Sequence, residues 1–326
     1  MMEEILKNKK IMISGATGLI GKALVKRLAD AGAILYVLTR SEEKAKALWG
    51  KKENITVLAG DITEVPLKDF GLDYIIHGAA STSSRAFVSE PVDVMKVNFS
   101  GTMRMLELAG LNHVDSFVYL STMEVYGCPG TDEKISEDRE TNLNTMSVRS
   151  CYPESKRACE CLCASYASQY GVPAKVIRLT QTFGPGVNYD DGRVFAEFAR
   201  CVIEGRDIVL HTKGETKRCY LYTEDAVNAI LTVLLKGETG EAYNAANEDT
   251  YCSVYEMAQT AAGTDASGRV KVIIQESSEE EIKARGFAPT LKMNLDTSKL
   301  QSLGWRAETG LEDMFVKLVE DMKSKK

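Results

Sequence analysis

The stretch IMISGATGLIG, residues 11–21, runs from an apolar strand pattern through three glycines into a helical pattern. Gly15, Gly18 and Gly21 follow the spacing Gly-x-x-Gly-x-x-Gly, a variant of the more familiar Gly-x-Gly-x-x-Gly turn. Such a turn lets the backbone approach a pyrophosphate, whose charge then lies at the positive N-terminus of the helix. The stretch therefore predicts a dinucleotide site, with a purely structural turn as the alternative. Its expected contacts are Gly15, Thr17, Gly18, Leu19, Ile20 and Gly21.

Short β-branched runs alternate with amphipathic helical patterns through the first half of the chain. The runs are residues 11–14, 34–38, 55–58, 74–77, 117–120 and 176–179. Nearly continuous apolar strands separated by helices are typical of a parallel sheet that is covered on both faces. We therefore predict an α/β fold, a Rossmann-type doubly wound parallel sheet with a smaller C-terminal substrate lobe.

The regular alternation ends near residue 180, where stretches rich in glycine and charge begin. We expect a dinucleotide-binding domain over residues 1–180, to which residues 206–240 return. The substrate lobe is then formed by residues 181–205 and 241–326, and a last helix is expected near residues 312–322.

The overall composition excludes several classes of protein. With 40 basic and 46 acidic residues the net charge is −6, which disfavours nucleic acid and anionic membranes as partners. No apolar run reaches the roughly 20 residues of a membrane helix, and the charged first ten residues do not form a signal peptide. The eight cysteines include no Cys-x-x-Cys pair, so we predict buried thiols and no metal site. These features predict a cytoplasmic protein.

The end of the second strand bears on the choice of cofactor. An acidic residue there would bind the ribose 2′-hydroxyl of NAD, but the sequence reads Leu38, Thr39, Arg40, Ser41. Because Arg40 could pair with a 2′-phosphate, NAD(P) is expected with a preference for NADP. Arg40 as a solvated surface charge is the alternative.

Four residues after the third and fourth strands are further candidates for cofactor binding. Asp61 could reach the adenine amine, with Ile62 beside it. Ala79 and Ala80 are small enough for the backbone to pass close to the cofactor. Each of these residues could equally be an ordinary turn residue.

Tyr152 and Lys156 form a Tyr-x-x-x-Lys pair on one face of a predicted helix. Such a pair occurs by chance about once in a chain of this composition, so its position is what makes it informative. It follows the fifth strand, whose end reads LSTMEVYG, residues 120–127.

Together these motifs resemble the extended short-chain dehydrogenase/reductase family, specifically its nucleotide-sugar epimerases, dehydratases and decarboxylases. The resemblance also includes HGAA at residues 77–80, Val97-Asn98 with Gly101-Thr102, and LGW at residues 303–305. Within the family, RSCY at residues 149–152, DGRV at residues 191–194 and Arg218 look like segments of the UDP-glucuronate decarboxylases.

The resemblance implies a role for each candidate residue. Tyr152 would be the general base toward a sugar hydroxyl, and Lys156 would lower the pKa of Tyr152 and hold the ribose. Thr122 would hydrogen-bond the reacting oxygen, and Glu124 would be a second acid or base. Asn98 would belong to the cofactor site, and the substrate contacts would be Ser81, Thr122, Gln181, Arg193 and Arg218.

The resemblance further implies a nucleotide-sugar substrate and a homodimer that pairs the helices near residues 92–109 and 153–170. Gln181 and Phe183 depart from the asparagine and tyrosine usual in the family's Arg-x-x-Asn-x-Tyr-Gly-Pro segment. Met123 replaces the acid of the 4,6-dehydratases, and a thioether cannot protonate a leaving hydroxyl. Dehydratase chemistry is therefore disfavoured.

The leading hypothesis is an NAD(P)-dependent nucleotide-sugar epimerase, or a related conversion through a transient 4-keto sugar. The alternatives within the same chemistry are a UDP-glucuronate decarboxylase and an NADPH-dependent keto-sugar reductase. The alternative from another class is a catalytically silent protein that binds the dinucleotide as a sensor or scaffold.

Overall fold

The computed structural model describes residues 2–50, 52–276 and 290–325. Over these residues the strands are β1 (Lys10–Ser14), β2 (Ile34–Thr39), β3 (Ile55–Ala59), β4 (Tyr74–His77), β5 (Ser116–Thr122), β6 (Lys134–Ile135), β7 (Ala174–Leu179), β8 (Gln181–Phe183), β9 (Ile208–Leu210), β10 (Lys217–Tyr222), β11 (Ala242–Ala245), β12 (Asn247–Ser253), β13 (Val272–Ile274) and β14 (Lys292–Leu295).

The helices over the same residues are α1 (Met2–Leu6), α2 (Leu19–Asp30), α3 (Glu42–Trp49), α4 (Ala86–Ser89), α5 (Pro91–Leu111), α6 (Cys151–Tyr170), α7 (Val194–Glu204), α8 (Thr223–Lys236), α9 (Val254–Gly263), α10 (Ser298–Ser302) and α11 (Leu311–Ser324). Single 3₁₀ turns are formed by Ile62–Glu64, Met123–Tyr126 and Val148–Ser150.

The largest sheet is parallel throughout and has the strand order β3-β2-β1-β4-β5-β7-β11. Successive connections lead outward from β1 on one side and from β4 on the other, so the strand order reverses between these two strands. In doubly wound sheets a ligand binds outside the carboxyl ends of the strands at this reversal. The predicted Rossmann-type α/β fold is confirmed.

Two parts of the predicted domain division differ from the observed sheets. Strand β11, whose residues were assigned to the substrate lobe, is the edge strand of the large sheet beside β7. Strands β9 and β10, which were expected to return to the first domain, lie in two smaller sheets instead. Helix α8, from the same segment, does pack on α2 at the large sheet. An apolar run identifies a strand but not its partner, so the sequence did not predict the sheets of β9, β10 and β11.

Helices cover both faces of the large sheet. On one face α2 and α8 pack together, and their apolar side chains form one buried cluster with β1 and β2. On the other face α5 and α6 pack side by side over a second cluster, which includes Cys159 and Cys163. These two thiols are therefore core residues, whereas Cys161, between them, is exposed.

The smaller lobe is built around β10, which pairs with β8, β12 and β14. Its core lies under α7, α9 and α11 and includes Phe195, Phe198, Met257 and Phe315. In the part of the chain that the structure describes, no helix combines the length and the apolar composition needed to cross a membrane.

Candidate active site

The glycine turn between β1 and α2 is shaped by close backbone contacts. Gly15 has a φ of +72°, and a Cβ there would lie 2.6 Å from the carbonyl carbon of Gly78. A Cβ on Gly21 would lie 2.2 Å from the oxygen of Gly15, so α2 can only begin against the turn at a glycine. Gly18 precedes α2 in an extended conformation and makes no side-chain cap. The first N–H groups of α2 are consequently suited to bind an anion.

A buried hydrogen-bond chain ties the turn to the end of β4. The Ser14 hydroxyl accepts hydrogen bonds from the backbone N–H groups of Gly78 and Ala79, both at 3.2 Å. It therefore donates its own proton to His77 Nδ1, 2.6 Å away, and His77 Nε2 donates to Thr102 Oγ1 at 3.0 Å. Burial lowers the pKa of His77 to about 3, so this ring is neutral.

A cavity of about 2300 Å³ opens at the carboxyl ends of the strands, between the large sheet and the smaller lobe. This volume is more than twice the roughly 1000 Å³ at the upper end for drug-sized ligands, so it can hold two large ligands. Every predicted site residue except Asn98 lies on its wall. These residues are Gly15, Thr17, Gly18, Leu19, Ile20, Gly21, Arg40, Asp61, Ile62, Ala79, Ala80, Ser81, Thr122, Glu124, Tyr152, Lys156, Gln181, Arg193 and Arg218.

Asn98 does not line the cavity, so its prediction as a cofactor contact requires correction. It is buried between α5 and α6, where its Nδ2 donates to Ser155 Oγ at 2.8 Å. Ser155 in turn donates to the carbonyl of Tyr152 at 2.9 Å. Asn98 lies on the side of α5 that faces α6. Its hydrogen bond to Ser155 therefore supports α6, the helix that carries Tyr152 and Lys156.

Asp61 forms the N-cap of the turn Ile62–Glu64. Its Oδ1 accepts from the backbone N–H of Thr63 at 2.9 Å and from the Thr63 hydroxyl at 2.7 Å. These hydrogen bonds, and more weakly the charge of Arg40, lower the pKa of Asp61. The cap fixes Ile62 against Gly101, where a Cβ would come within 2.8 Å of the Ile62 side chain.

Tyr152 is buried at the start of α6, with its ring stacked on Phe87 at a centroid distance of 4.4 Å. Burial raises the pKa of Tyr152, and the Glu124 carboxylate raises it further. A hydrogen bond with Thr122 and the charge of Arg149 lower this pKa, but by less than burial raises it. Tyr152 is therefore a neutral phenol in this structure, and Thr122 lines the same cavity.

Lys156 lies one turn after Tyr152 on α6, next to the end of β5. Its Nζ donates to the carbonyl of Leu120 at 2.8 Å and lies 4.6 Å from the centroid of the Tyr119 ring, against 5.9 Å for Tyr152. Burial lowers the pKa of Lys156 to about 8. The hydrogen bond to Leu120 holds the ammonium group closer to the Tyr119 ring than to the Tyr152 ring, and the lowering of the Tyr152 pKa by Lys156 stays a prediction.

Glu124 forms an ion pair with Arg149, in which Arg149 Nη2 donates to Glu124 Oε2 at 2.9 Å. The guanidinium also lies over the Phe87 ring, 5.0 Å from its centroid. Phe87 and the role of Arg149 escaped the sequence analysis. The RSCY segment pointed to Arg149, but no sequence signal marked Phe87, which reaches Tyr152 from α4.

The substrate candidates of the smaller lobe have contrasting surroundings. Gln181 Oε1 and Arg218 Nε are buried and have no hydrogen-bond partner among the described residues. Arg193 is paired with Asp191 through two hydrogen bonds. Met123 is buried, and the Thr180 hydroxyl lies 3.2 Å from its sulfur. Buried polar atoms without partners normally indicate a ligand or water.

The residues present fit a dinucleotide. The glycine turn leaves room that a Cβ would fill, the first N–H groups of α2 carry no side-chain cap, and Ile62, Ala79 and Ala80 complete a continuous wall. Tyr152, Thr122 and Glu124 lie on the same cavity and offer a proton acceptor, a hydrogen-bond donor and a carboxylate.

Comparison with known proteins identifies the family of this chain. Residues 11–246 match the family described as the NAD-dependent epimerase/dehydratase family. UDP-glucuronic acid decarboxylase 3 of Arabidopsis thaliana is 31% identical over 323 residues, which cover 97% of this chain and 90% of that protein. UDP-glucuronic acid decarboxylase 1 of Xenopus tropicalis is 29% identical, with 94% and 70% covered.

Among solved structures, UDP-glucose 4-epimerase of Thermotoga maritima superimposes with a TM-score of 0.82 at 22% identity, covering 97% of this chain and 99% of that one. UDP-N-acetylglucosamine 4-epimerase of Methanobrevibacter ruminantium gives 0.83 at 20% identity, covering 98% and 100%. These two structures support the fold, and the full-length relatives support the family. The chain is therefore an enzyme of the NAD-dependent epimerase/dehydratase family.

Proposed function

We propose that this enzyme oxidises C4 of the sugar in a nucleotide sugar, converts the transient 4-keto sugar, and then reduces it again. One observation carries the proposal: Tyr152, Thr122 and Glu124 line the same cavity as the glycine turn. A sugar hydroxyl placed between Tyr152 and Thr122 has both a proton acceptor and a hydrogen-bond partner. The NAD(P) held by the glycine turn would supply the hydride acceptor.

The protein residues supply the proton transfer and the orientation. Tyr152 takes the proton of the C4 hydroxyl, while Thr122 holds the same oxygen. Because burial raises the pKa of Tyr152, its loss of a proton needs a positive charge close to the phenol oxygen. Arg149 already lowers this pKa, and a cationic cofactor ring would add to the effect.

The net reaction that the site supports best is decarboxylation of UDP-glucuronate. Oxidation at C4 makes the sugar a β-keto acid, so the bond from C5 to the carboxylate breaks and its electron pair moves toward the ketone. Carbon dioxide leaves, and C5 then takes up a proton. Glu124, the carboxylate beside Tyr152, would pass a proton from solvent to C5, and the relatives that match over 97% and 94% of the chain are named for this reaction.

Epimerisation at C4 is the second candidate, and one observation favours it. The cavity of about 2300 Å³ leaves room for a keto sugar to turn over and present its other face. Such a reaction needs no group to handle a carboxylate. A net NADPH-dependent reduction and a silent dinucleotide-binding protein are the remaining alternatives.

Carbon dioxide release from UDP-glucuronate labelled at C6 tests the choice. We expect the cofactor-loaded enzyme to release label, and Glu124→Gln to bind the substrate but release little. Absence of release, together with interconversion of UDP-glucose and UDP-galactose, would establish the epimerase instead. If neither reaction occurred although NAD bound, the two remaining alternatives would be a net NADPH-dependent reduction of a keto sugar and a silent binding protein.

The preference between cofactors rests on Arg40, whose side chain lies on the cavity wall. We propose that NADP binds more tightly than NAD and that Arg40→Ala narrows the difference, because the substitution removes the cation that could pair with a 2′-phosphate. Titration of both cofactors against both proteins measures this. Tighter binding of NAD to the native enzyme would make Thr39 or Ser41 the ribose contact.

We also propose a cytoplasmic location and a homodimer. The free cysteines support the first, because a reducing compartment preserves thiols. The apolar residues exposed on α5 support the second.

A further inference from the structure

Lys156 places an ammonium group in a part of the site from which water is largely excluded. The residue is 3% exposed, and its Nζ donates to the carbonyl of Leu120 at 2.8 Å. In the described part of the chain this ammonium group has no ion-pair partner, and Glu160, one turn further along α6, is paired with Arg178. A buried charge without a counter-ion tends to lose its proton, and burial lowers the pKa of Lys156.

Two aromatic rings lie close to this ammonium group. The Nζ of Lys156 is 4.6 Å from the centroid of the Tyr119 ring and 5.9 Å from the centroid of the Tyr152 ring. The attraction between a cation and an aromatic face extends to about 6 Å and is strongest when both groups are shielded from water. Tyr119 is 1% exposed, so its ring meets this condition at the shorter distance.

The ring of Tyr119 is the part of this residue that serves the site. Tyr119 is not part of the cavity wall, so it does not touch a ligand. Its hydroxyl is buried beside the thiol of Cys159 and makes no well-formed hydrogen bond to a described residue. Strand β5 therefore offers two groups in succession to Lys156, first the ring of Tyr119 and then the carbonyl of Leu120.

His77 is a further neighbour of the Tyr119 ring, with the two ring centroids 5.5 Å apart. A protonated imidazole there would compete for the ring and repel the ammonium group. Burial, and to a lesser extent the charge of Lys156, lowers the pKa of His77 to about 3, so the imidazole is neutral at physiological pH. Burial raises the pKa of Tyr119, Cys159 and Cys163, so these groups are neutral as well. Among these groups, Lys156 is the one that changes its charge between pH 5 and pH 8.5.

We propose that the face of the Tyr119 ring holds the ammonium group of Lys156 charged and in place at neutral pH. Tyr119 is then a positioning residue, because it acts through the lysine that follows Tyr152 by one helical turn. This inference rests on the proposed function, in which a cation at residue 156 favours the Tyr152 phenolate and holds the ribose of the dinucleotide. A lysine is charged below its pKa, so loss of the ring narrows the pH range over which the site contains this cation.

NMR of the ligand-free enzyme with carbon-13-labelled lysine follows the charge of Lys156 directly, and the signal that is lost in Lys156→Arg identifies the residue. In Tyr119→Leu we expect the titration midpoint to lie about one pH unit below that of the native enzyme, as for loss of a shielded cation–π contact. Tyr119→Phe keeps the ring and should titrate like the native enzyme. Phe117→Leu is the matched control, because Phe117 is a fully buried ring on the same face of β5 and also lies beside His77.

Titration with NAD at pH 6 and pH 8.5 measures the consequence for the cofactor site. Because a lower midpoint leaves less charged lysine at high pH, Tyr119→Leu should bind NAD like the native enzyme at pH 6 and about 5- to 10-fold more weakly at pH 8.5. A loss caused by poorer packing alone would be the same at both pH values. If Tyr119→Leu does not fold, Tyr119→Met takes its place, because methionine fills irregular space without an aromatic ring.

An unchanged midpoint in Tyr119→Leu would overturn the proposal, and so would an equal decrease in Phe117→Leu or in Tyr119→Phe. Failure of the proposed function gives a different result. If the midpoint falls in Tyr119→Leu while NAD binds equally well at both pH values, the assignment of Tyr119 is supported and the contact of Lys156 with the dinucleotide is wrong.

Discussion

Tyr152 combines burial with the need to lose a proton. Its stack on Phe87 and its low exposure raise its pKa, so the neutral phenol is the resting form. A buried acid of this kind transfers its proton only when positive charge and a hydrogen-bond partner stabilise the phenolate. Thr122 and Arg149 provide part of that stabilisation in the protein.

We expect Tyr152→Phe to lower kcat by about 100- to 10,000-fold, the usual contribution of a general acid or base. The phenyl ring preserves the stack on Phe87, so the dinucleotide affinity and the melting temperature should be unchanged. Steady-state kinetics with cofactor titration measures both. Tyr74→Phe is a suitable control. Tyr74 has the same 7% exposure as Tyr152 but lies at the start of β4, away from the cavity at the carboxyl ends of the strands. Native turnover in Tyr152→Phe would refute the proposed mechanism.

His77 gives the fold a specific sensitivity to acid. Its pKa is about 3 in the folded protein and 6.5 in the reference state, so between these values the unfolded chain binds the extra proton. Stability from this residue is therefore fully present above pH 6.5 and is lost as the pH falls below it, by up to about 1.4 kcal/mol per unit.

We expect native protein to be more stable than His77→Asn at pH 7 and this advantage to shrink steadily toward pH 5. Asparagine cannot take up a proton in this range, which is the reason for the difference. Urea unfolding of both proteins at several pH values gives the two free energies of unfolding. A constant gap between pH 7 and pH 5 would show that His77 is not buried as a neutral ring.

At the scale of elements, the glycine turn shows why α2 lies where it can bind a phosphate. A methyl group on Gly21 would meet the oxygen of Gly15 at 2.2 Å and the Cα of Ala16 at 2.7 Å. Both atoms belong to the backbone, so the helix would have to move away from β1. The anion site depends on this close approach, because the turn and the helix N-terminus form it together.

Gly21→Ala should therefore lower the free energy of unfolding by about 1–3 kcal/mol, as expected for overpacking, and weaken NAD binding. Gly130→Ala is the matched control, since a Cβ there has no atom within 4 Å and should change stability by less than about 0.5 kcal/mol. Thermal unfolding and cofactor titration of both variants provide the comparison. Equal behaviour of the two variants would mean that the turn tolerates movement of α2.

The elements that were predictable from sequence are those with a strong local pattern. The run at residues 74–77 corresponds to β4 without any shift, because its four residues are apolar or buried. Strand β11 was assigned to the other lobe, since the four residues Ala242–Ala245 carry no β-branched side chain and only pairing with β7 identifies their sheet. Asn98 was misplaced because the orientation of α5, and not its sequence, turns that residue toward α6.

At the scale of the whole molecule, the site is assembled from segments far apart in sequence. Phe87 from α4 meets Tyr152 from α6, and Glu124 after β5 meets Arg149. Local patterns predict the strand ends at which such residues lie, as they did for Thr122. They do not predict which side chains meet across the cavity, because those contacts depend on how the helices and the two lobes pack.

The outer face of α5 exposes a row of apolar side chains that no other described residue covers. Val92, Met95, Phe99 and Met103 are 68, 45, 41 and 37% exposed and follow a helical spacing along one side. An apolar stripe of this kind is typical of a helix that packs against another molecule. The predicted homodimer pairs this helix and α6 with their copies.

We expect light scattering at micromolar concentration to give twice the chain mass for the native enzyme and a monomer for the double variant Met95→Glu and Phe99→Glu. Leu48→Glu, on α3 and 44% exposed, is the control that should remain dimeric.

The inner face of α5 holds Ser155 of α6 through Asn98, and Ser155 donates to the Tyr152 carbonyl. Loss of the dimer should therefore also lower turnover, because it removes support from the helix that carries Tyr152. A monomeric native enzyme, or a dimeric double variant, would contradict this assembly.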